Sequence, residues 1–146
     1  MLKTIYKKCA GIDVHKKHIV VRTAVTDEHE IAQYQLKTFT TFTEDLIKCR
    51  EWLISNDIYD VCMESTGKYW IPIFNILETK CNCVITHPKY VKSIPGKKTD
   101  NKDSLRIVDL FKFGLVEPSF MPPADIRQLR DLMRYRNKLV NIRCSE

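Results

Sequence analysis

The spacing of hydrophobic positions changes character along the chain, and each change marks an element. Residues 9–14 (Cys-Ala-Gly-Ile-Asp-Val) read as a short apolar strand carrying one acid, Asp13. Residues 18–25 are dense in β-branched side chains and predict a second strand. The polar turn at 26–29 leads into a third, roughly 31–38. Three strands with short links predict an antiparallel meander. From Thr43 to Ser55 the period becomes helical, with Leu46, Cys49, Arg50 and Leu53 recurring and Thr43 in the N-cap position. A strand over 59–64 follows, then a helix over 69–77 with Trp70, Ile73, Phe74 and Leu77 on one face and Pro72 in its first turn. Residues 83–86 predict a fifth strand, and a loop or short helix holding Pro95 and Gly96 comes next. A helix over about 99–114 places Leu105, Val108, Phe111 and Leu115 along one side.

Pro118, Pro122 and Pro123 mark a boundary, beyond which 126–143 form a second long helix. Its apolar positions Ile126, Leu129, Leu132, Met133, Leu139 and Val140 lie near heptad spacing, interrupted by Arg136. The order β-β-β-α-β-α-β-α-α predicts an α/β domain, a five-stranded mixed sheet flanked by helices. By analogy of element order this is a ribonuclease-H-like architecture. The expected division is a catalytic-sized domain over 1–117 and the start of a basic coiled-coil or linker helix over 118–146, continuing in a longer parent protein.

Charge adds a partner to this picture. The net charge is +6, which favours a polyanion. Seven basic residues fall between Lys89 and Lys112, namely Lys89, Lys92, Lys97, Lys98, Lys102, Arg106 and Lys112, against three aspartates. Between Arg127 and Arg143 six basic residues face one acid, Asp131. Nucleic acid is the first partner to consider and an anionic membrane surface the second. No stretch approaches the ~20 apolar residues of a membrane span, and the first residues lack the pattern of a signal peptide. The expectation is a cytoplasmic protein. Without a secretory context the six cysteines predict no disulfides, Cys81 and Cys83 have no second metal-spaced pair to hold zinc, and most read as small core residues. His15 and His18 are close enough to point at one site, but no sequence neighbour completes it.

Four acids carry the candidate chemistry. Strand alternation sends Asp13 to the face opposite Ile12 and Val14. Glu64 ends the fourth strand, expected to lie parallel to the first, and ligand sites in open α/β sheets gather beyond such carboxyl ends. Asp100 and Asp103 are neighbours on one helix face. Each has a bland reading: Asp13 bonded to backbone amides or to Lys16 or Lys17, Glu64 an exposed strand end, and the helix acids complementing the dipole. Together, carboxylates sharing a small site must protonate or bind cations. Magnesium, with manganese as a substitute, suits hard oxygen ligands and leaves room for water and phosphate. Two ions stabilise the attacking and leaving oxygens of a phosphodiester. Lys89, Lys92, Lys97, Lys98, Lys102 and Arg106 would then grip the backbone without reading sequence.

The stretches 11–16 (Gly-Ile-Asp-Val-His-Lys), 63–67 (Met-Glu-Ser-Thr-Gly) and 98–103 (Lys-Thr-Asp-Asn-Lys-Asp) resemble, in order, the signatures of the DEDD transposases. These are the one-ten family of bacterial insertion sequences, also called bridge-RNA-guided recombinases. His87-Pro88 and the helix opening at Ile126 agree, so the resemblance spans about 8–140. It implies an N-terminal RuvC-like domain in a bacterial cytoplasm, with Asp13, Glu64, Asp100 and Asp103 as metal-binding catalytic acids. It further implies DNA as substrate, a structured guide RNA and a separate C-terminal domain bearing a serine nucleophile; the apolar stripe of the last helix by itself predicts packing on a partner helix in a homo-oligomer, with a solvated face or a nucleic-acid surface as the other readings. Ser104 stands where that family commonly has alanine. The alternatives are a stand-alone Holliday-junction resolvase and a non-catalytic nucleic-acid-binding or oligomerisation module.

Overall fold

A computed structural model describes residues 3–65, 67–87 and 100–145, with the side chains of residues 100–102 outside that description. Strands β1 (Lys8–Val14), β2 (His18–Thr26) and β3 (Ala32–Thr40) form the predicted meander. Helix α1 (Thr43–Ser55), strand β4 (Asp60–Glu64), helix α2 (Trp70–Leu77) and strand β5 (Asn82–Thr86) follow. Helices α3 (Asp100–Lys112) and α4 (Ala124–Ser145) complete the chain. The sheet runs β3-β2-β1-β4-β5. β1 is antiparallel to β2 and parallel to β4, which is parallel to β5, so the sheet is mixed as the element order predicts.

Period-two alternation divides the core. Ala10, Ile12 and Val14 of β1 join Ile19, Val21, Val61 and Met63 under α1 and α2, where Leu46, Cys49, Leu53, Ile73 and Leu77 close the larger cluster. The opposite face carries Cys9, Ala24 and Cys62, covered by Ile107, Val108 and Phe111 of α3. Burial of some two dozen apolar side chains, at about 25 cal/mol per Å² of apolar surface removed from water, makes these two layers the source of stability.

Two expectations about helix boundaries change. Thr43 is the first helical residue of α1, and its N-cap is Phe42, whose side chain has no acceptor and makes no capping hydrogen bond. The local polarity comes from Thr40, whose hydroxyl accepts the Phe42 N–H at 3.4 Å and bonds Asp45. α3 ends at Lys112 rather than at Gly114, so Leu115 lies beyond the helix and is exposed. Gly114 takes a left-handed φ of 71°. Its N–H bonds the Phe111 carbonyl at 2.9 Å while Leu115 N–H bonds Leu110 at 2.9 Å, closing the helix in a Schellman turn. The buried stripe of α3 is therefore Ser104, Ile107, Val108, Phe111 and Lys112. Leu105 is only partly buried.

Candidate active site

Asp13 and Glu64 meet because their strands are parallel neighbours. The β1–β4 register pairs Gly11 with Cys62 and Ile12 with Met63, and one further step sets Asp13 beside Glu64. Both follow the alternation of Gly11 and Cys62, so both rise from the face that α3 covers. Both are buried, at 7% and 9% relative exposure. The reading of Glu64 as an exposed strand end is thereby excluded. Neighbouring strands lie about 4.8 Å apart, so two carboxylates here stand side by side in a water-poor setting. Such a pair needs protons, donors or a cation.

One donor is the His15 ring, whose Nε2 lies 3.0 Å from Asp13 Oδ2. That ring is stacked on His18, with centroids 4.4 Å apart and planes 20° from parallel. The two histidines do share a locale, as their spacing suggested, and they orient one oxygen of Asp13. Around Glu64, the Ser65 N–H bonds the Thr86 carbonyl at 2.9 Å, and Thr86 is itself fully buried and in register with Glu64. Burial pushes the Cys62 thiol up to about 12, with the charges of Cys9 and Glu64 adding to the effect. Cys62 is thus a protonated core residue and no nucleophile.

The register of α3 on the sheet decides where the remaining acids fall. The Lys112 carbonyl accepts the N–H groups of Ile5 and Tyr6 at 2.8 and 3.0 Å, just ahead of β1. The Val108 backbone crosses Gly11 so closely that a Cβ on the glycine would lie 2.6 Å from Val108 N. Ser104, one turn earlier, is fully buried and accepts the Arg22 Nε–H at 3.4 Å. α3 therefore runs antiparallel to β1, and each helical turn of about 5.4 Å matches nearly two strand residues at about 3.3 Å each. Its first turn, which carries Asp100 and Asp103, therefore lies toward the carboxyl end of β1. Asp103 is half-buried.

Among the described residues no three His, Cys, Asp or Glu side chains gather into a group able to hold a metal. The described donor set is therefore the Asp13–Glu64 pair. That pair fits magnesium, which is commonly held by one or two carboxylates and completes its octahedron with water and substrate phosphate. The Asp100 and Lys102 side chains and residues Lys89, Lys92, Lys97 and Lys98, together with the Pro95–Gly96 loop, lie outside the described residues. Arg106 is half-buried on α3. Sequence reasoning gave no packing role to Gly11 or Ser104; a small residue within an apolar strand or on the buried side of a helix is the signal such a close approach leaves. No described helix is long and apolar enough to cross a membrane.

Comparison with protein families matches residues 10–146 to the DEDD transposases of the IS110 group, described as Transposase. Comparison with curated proteins finds no match. Among solved structures, Thermus thermophilus RuvC in complex with a Holliday junction substrate superposes with a TM-score of 0.51 at 13% identity, covering 77% of this chain and 99% of that one. The T. thermophilus RuvC structure without that description gives 0.50 at 13% identity, with the same shares. The domain has the RuvC-like, ribonuclease-H-like fold.

Proposed function

This chain belongs to the DEDD transposase family of the IS110 group, and from that premise we propose that it is the metal-dependent catalytic domain of a DNA transposase. One observation carries the reading: two buried carboxylates, Asp13 and Glu64, stand side by side at the carboxyl ends of adjacent parallel strands. A stability role does not account for placing like charges there, since each buried carboxylate costs several kcal/mol of desolvation. Asp13, Glu64, Asp100 and Asp103 would hold magnesium or manganese as a pair of ions, and the metal supplies charge stabilisation at the scissile phosphodiester.

The chain's own residues divide the remaining work. His15 holds Oδ2 of Asp13 and so fixes the orientation of that carboxylate. Arg22 and Ser104 tie α3 to β2 and so hold the helix acids over the strand ends. Lys89, Lys92, Lys97, Lys98, Lys102 and Arg106 neutralise backbone phosphates of DNA and of a structured guide RNA. α4 joins this domain, 1–117, to a second copy and leads toward a serine-bearing domain elsewhere in the parent protein.

Calorimetric titration with Mn2+ tests the assignment. Asp13→Asn and Glu64→Gln are each expected to abolish saturable binding while thermal stability without metal is kept or rises. Unchanged Mn2+ affinity in both variants would remove the acids from the site.

A further inference from the structure

A groove of about 580 Å³ lies between α2 and the start of α4, away from the acids' face of the sheet. One wall is Trp70, Phe74 and Glu78; the other is Phe120 with Arg127, Arg130 and Arg134. Its volume falls in the range of small-ligand sites, about 300–1,000 Å³. Its floor is built. The Arg127 guanidinium pairs with Glu78, donates to the Pro122 carbonyl at 2.9 Å and lies 4.9 Å from the Phe74 ring centre. Phe74 meets Trp70 edge-on, with centroids 5.9 Å apart.

The rim differs from the floor. Phe120 is 83% exposed, an aromatic ring with almost no packing of its own. Arg130 has no ion pair among the described residues, and Arg134 has only a 4.0 Å contact to Asp131, both side chains being 78% exposed. A pair that exposed holds its charges loosely. Arginines beside unpacked aromatic faces are the chemistry that binds unpaired nucleotides: the base stacks and the guanidinium takes the phosphate.

Location points the same way. Thr86, at the end of β5, pairs with Glu64 and bridges Pro118, and Ser119 N–H bonds the Ile85 carbonyl at 2.7 Å. Phe120 is therefore tied to the carboxyl edge of the sheet about two strand spacings, or ~10 Å, from Glu64. The groove is thus joined to the same carboxyl edge of the sheet at which Asp13 and Glu64 rise on the other face. The competing occupant, a helix from a second copy, is disfavoured by the faces of α4. At 100° per residue, Arg127, Arg130, Asp131 and Arg134 cluster on one side, and Ile126, Leu129, Met133 and Val140 lie from about a quarter to nearly half a turn from its middle, with Arg130 at the border.

We propose that the groove between α2 and α4 binds an unpaired nucleotide of the nucleic acid being processed, its base stacked against Trp70 and Phe120 and its phosphate held by Arg130 and Arg134. This rests on the nucleic-acid-processing reading above but not on its metal chemistry. The test is titration of the chain in EDTA with single-stranded DNA, single-stranded RNA and duplex DNA of about ten nucleotides. The readout is 19F NMR of fluorotryptophan, which separates Trp70 from Trp52. Single strands are expected to shift the Trp70 resonance, and Phe120→Ala or the pair Arg130→Gln and Arg134→Gln to weaken that binding about tenfold, the scale of one lost stack. The tighter of the two single strands identifies the source of the nucleotide. Phe120→Ala is expected to keep Mn2+ affinity, so a failed metal site and a failed groove read out separately. The proposal is overturned if single strands bind with Trp70 unmoved, if the variants bind as the parent does, or if Trp70 responds to protein concentration alone.

Discussion

Gly11 lies directly beneath Val108, and a Cβ there would come within 2.6 Å of the Val108 amide nitrogen and 3.0 Å of its Cα. That contact sets the height of α3 above β1, and with it the position of the helix's first turn. The obstruction is backbone, which cannot swing aside. Gly11→Ala is expected to lift α3, costing about 1–3 kcal/mol as overpacking does and weakening Mn2+ binding although no donor is removed. Urea denaturation and metal titration on the same variant check both halves.

The thiols predict a pH dependence. Burial pushes Cys9, Cys49 and Cys62 up to about 12 from 9.0. The folded state keeps these protons where the unfolded state releases them, so unfolding is favoured as pH rises above 9. Their contribution is fully present below that pH and is lost through 12, at up to about 1.4 kcal/mol per pH unit for each thiol. Cys144 is exposed. Stability measured from pH 8 to 11 should fall along this slope, and Cys62→Ala should flatten it. Alkylation of the native protein near pH 8 should mark Cys144 and spare these three.

Much of this was legible because period and burial coincide. β1 and β4 alternate cleanly, so the face of Asp13 followed from Ile12 and Val14 alone. Element order then made β1 and β4 parallel neighbours, which brings Asp13 to Glu64. What escaped were features that depend on a partner element. Glu64 is buried, and nothing local in β4 announces it. Ile107, fully buried, was passed over for Leu115 because an apolar residue at helical spacing does not reveal that the helix has already closed at Gly114. The groove beside Trp70 escaped too, since its walls are some fifty residues apart in sequence.

Arg127 anchors α4 to α2 through Glu78, Phe74 and the Pro122 carbonyl together. Lysine cannot reproduce a planar fork that pairs, donates and stacks at once. Arg127→Lys and Arg127→Ala are therefore both expected to release the first turns of α4, at a cost of about 1–3 kcal/mol. Hydrogen exchange should rise across residues 124–134 while the amides of β1 and β4 stay protected.

α4 has no buried residue along its 22 positions, yet Leu129, Met133 and Val140 are apolar and 45–55% exposed. Ile126, Leu129, Met133, Arg136 and Val140 are spaced by alternate threes and fours, the seam of a two-stranded coiled coil. An isolated helix with such a seam is marginal in water, and a second helix supplies the missing burial. Arg136 is the exception within the seam; a charged residue there specifies register at the expense of affinity. Sedimentation is expected to show self-association that Leu129→Glu abolishes. Arg136→Leu should tighten the dimer by at least about tenfold, the burial of each leucine being worth about 1.5–3 kcal/mol. If Arg136→Leu leaves the association constant unchanged, the seam lies elsewhere on α4.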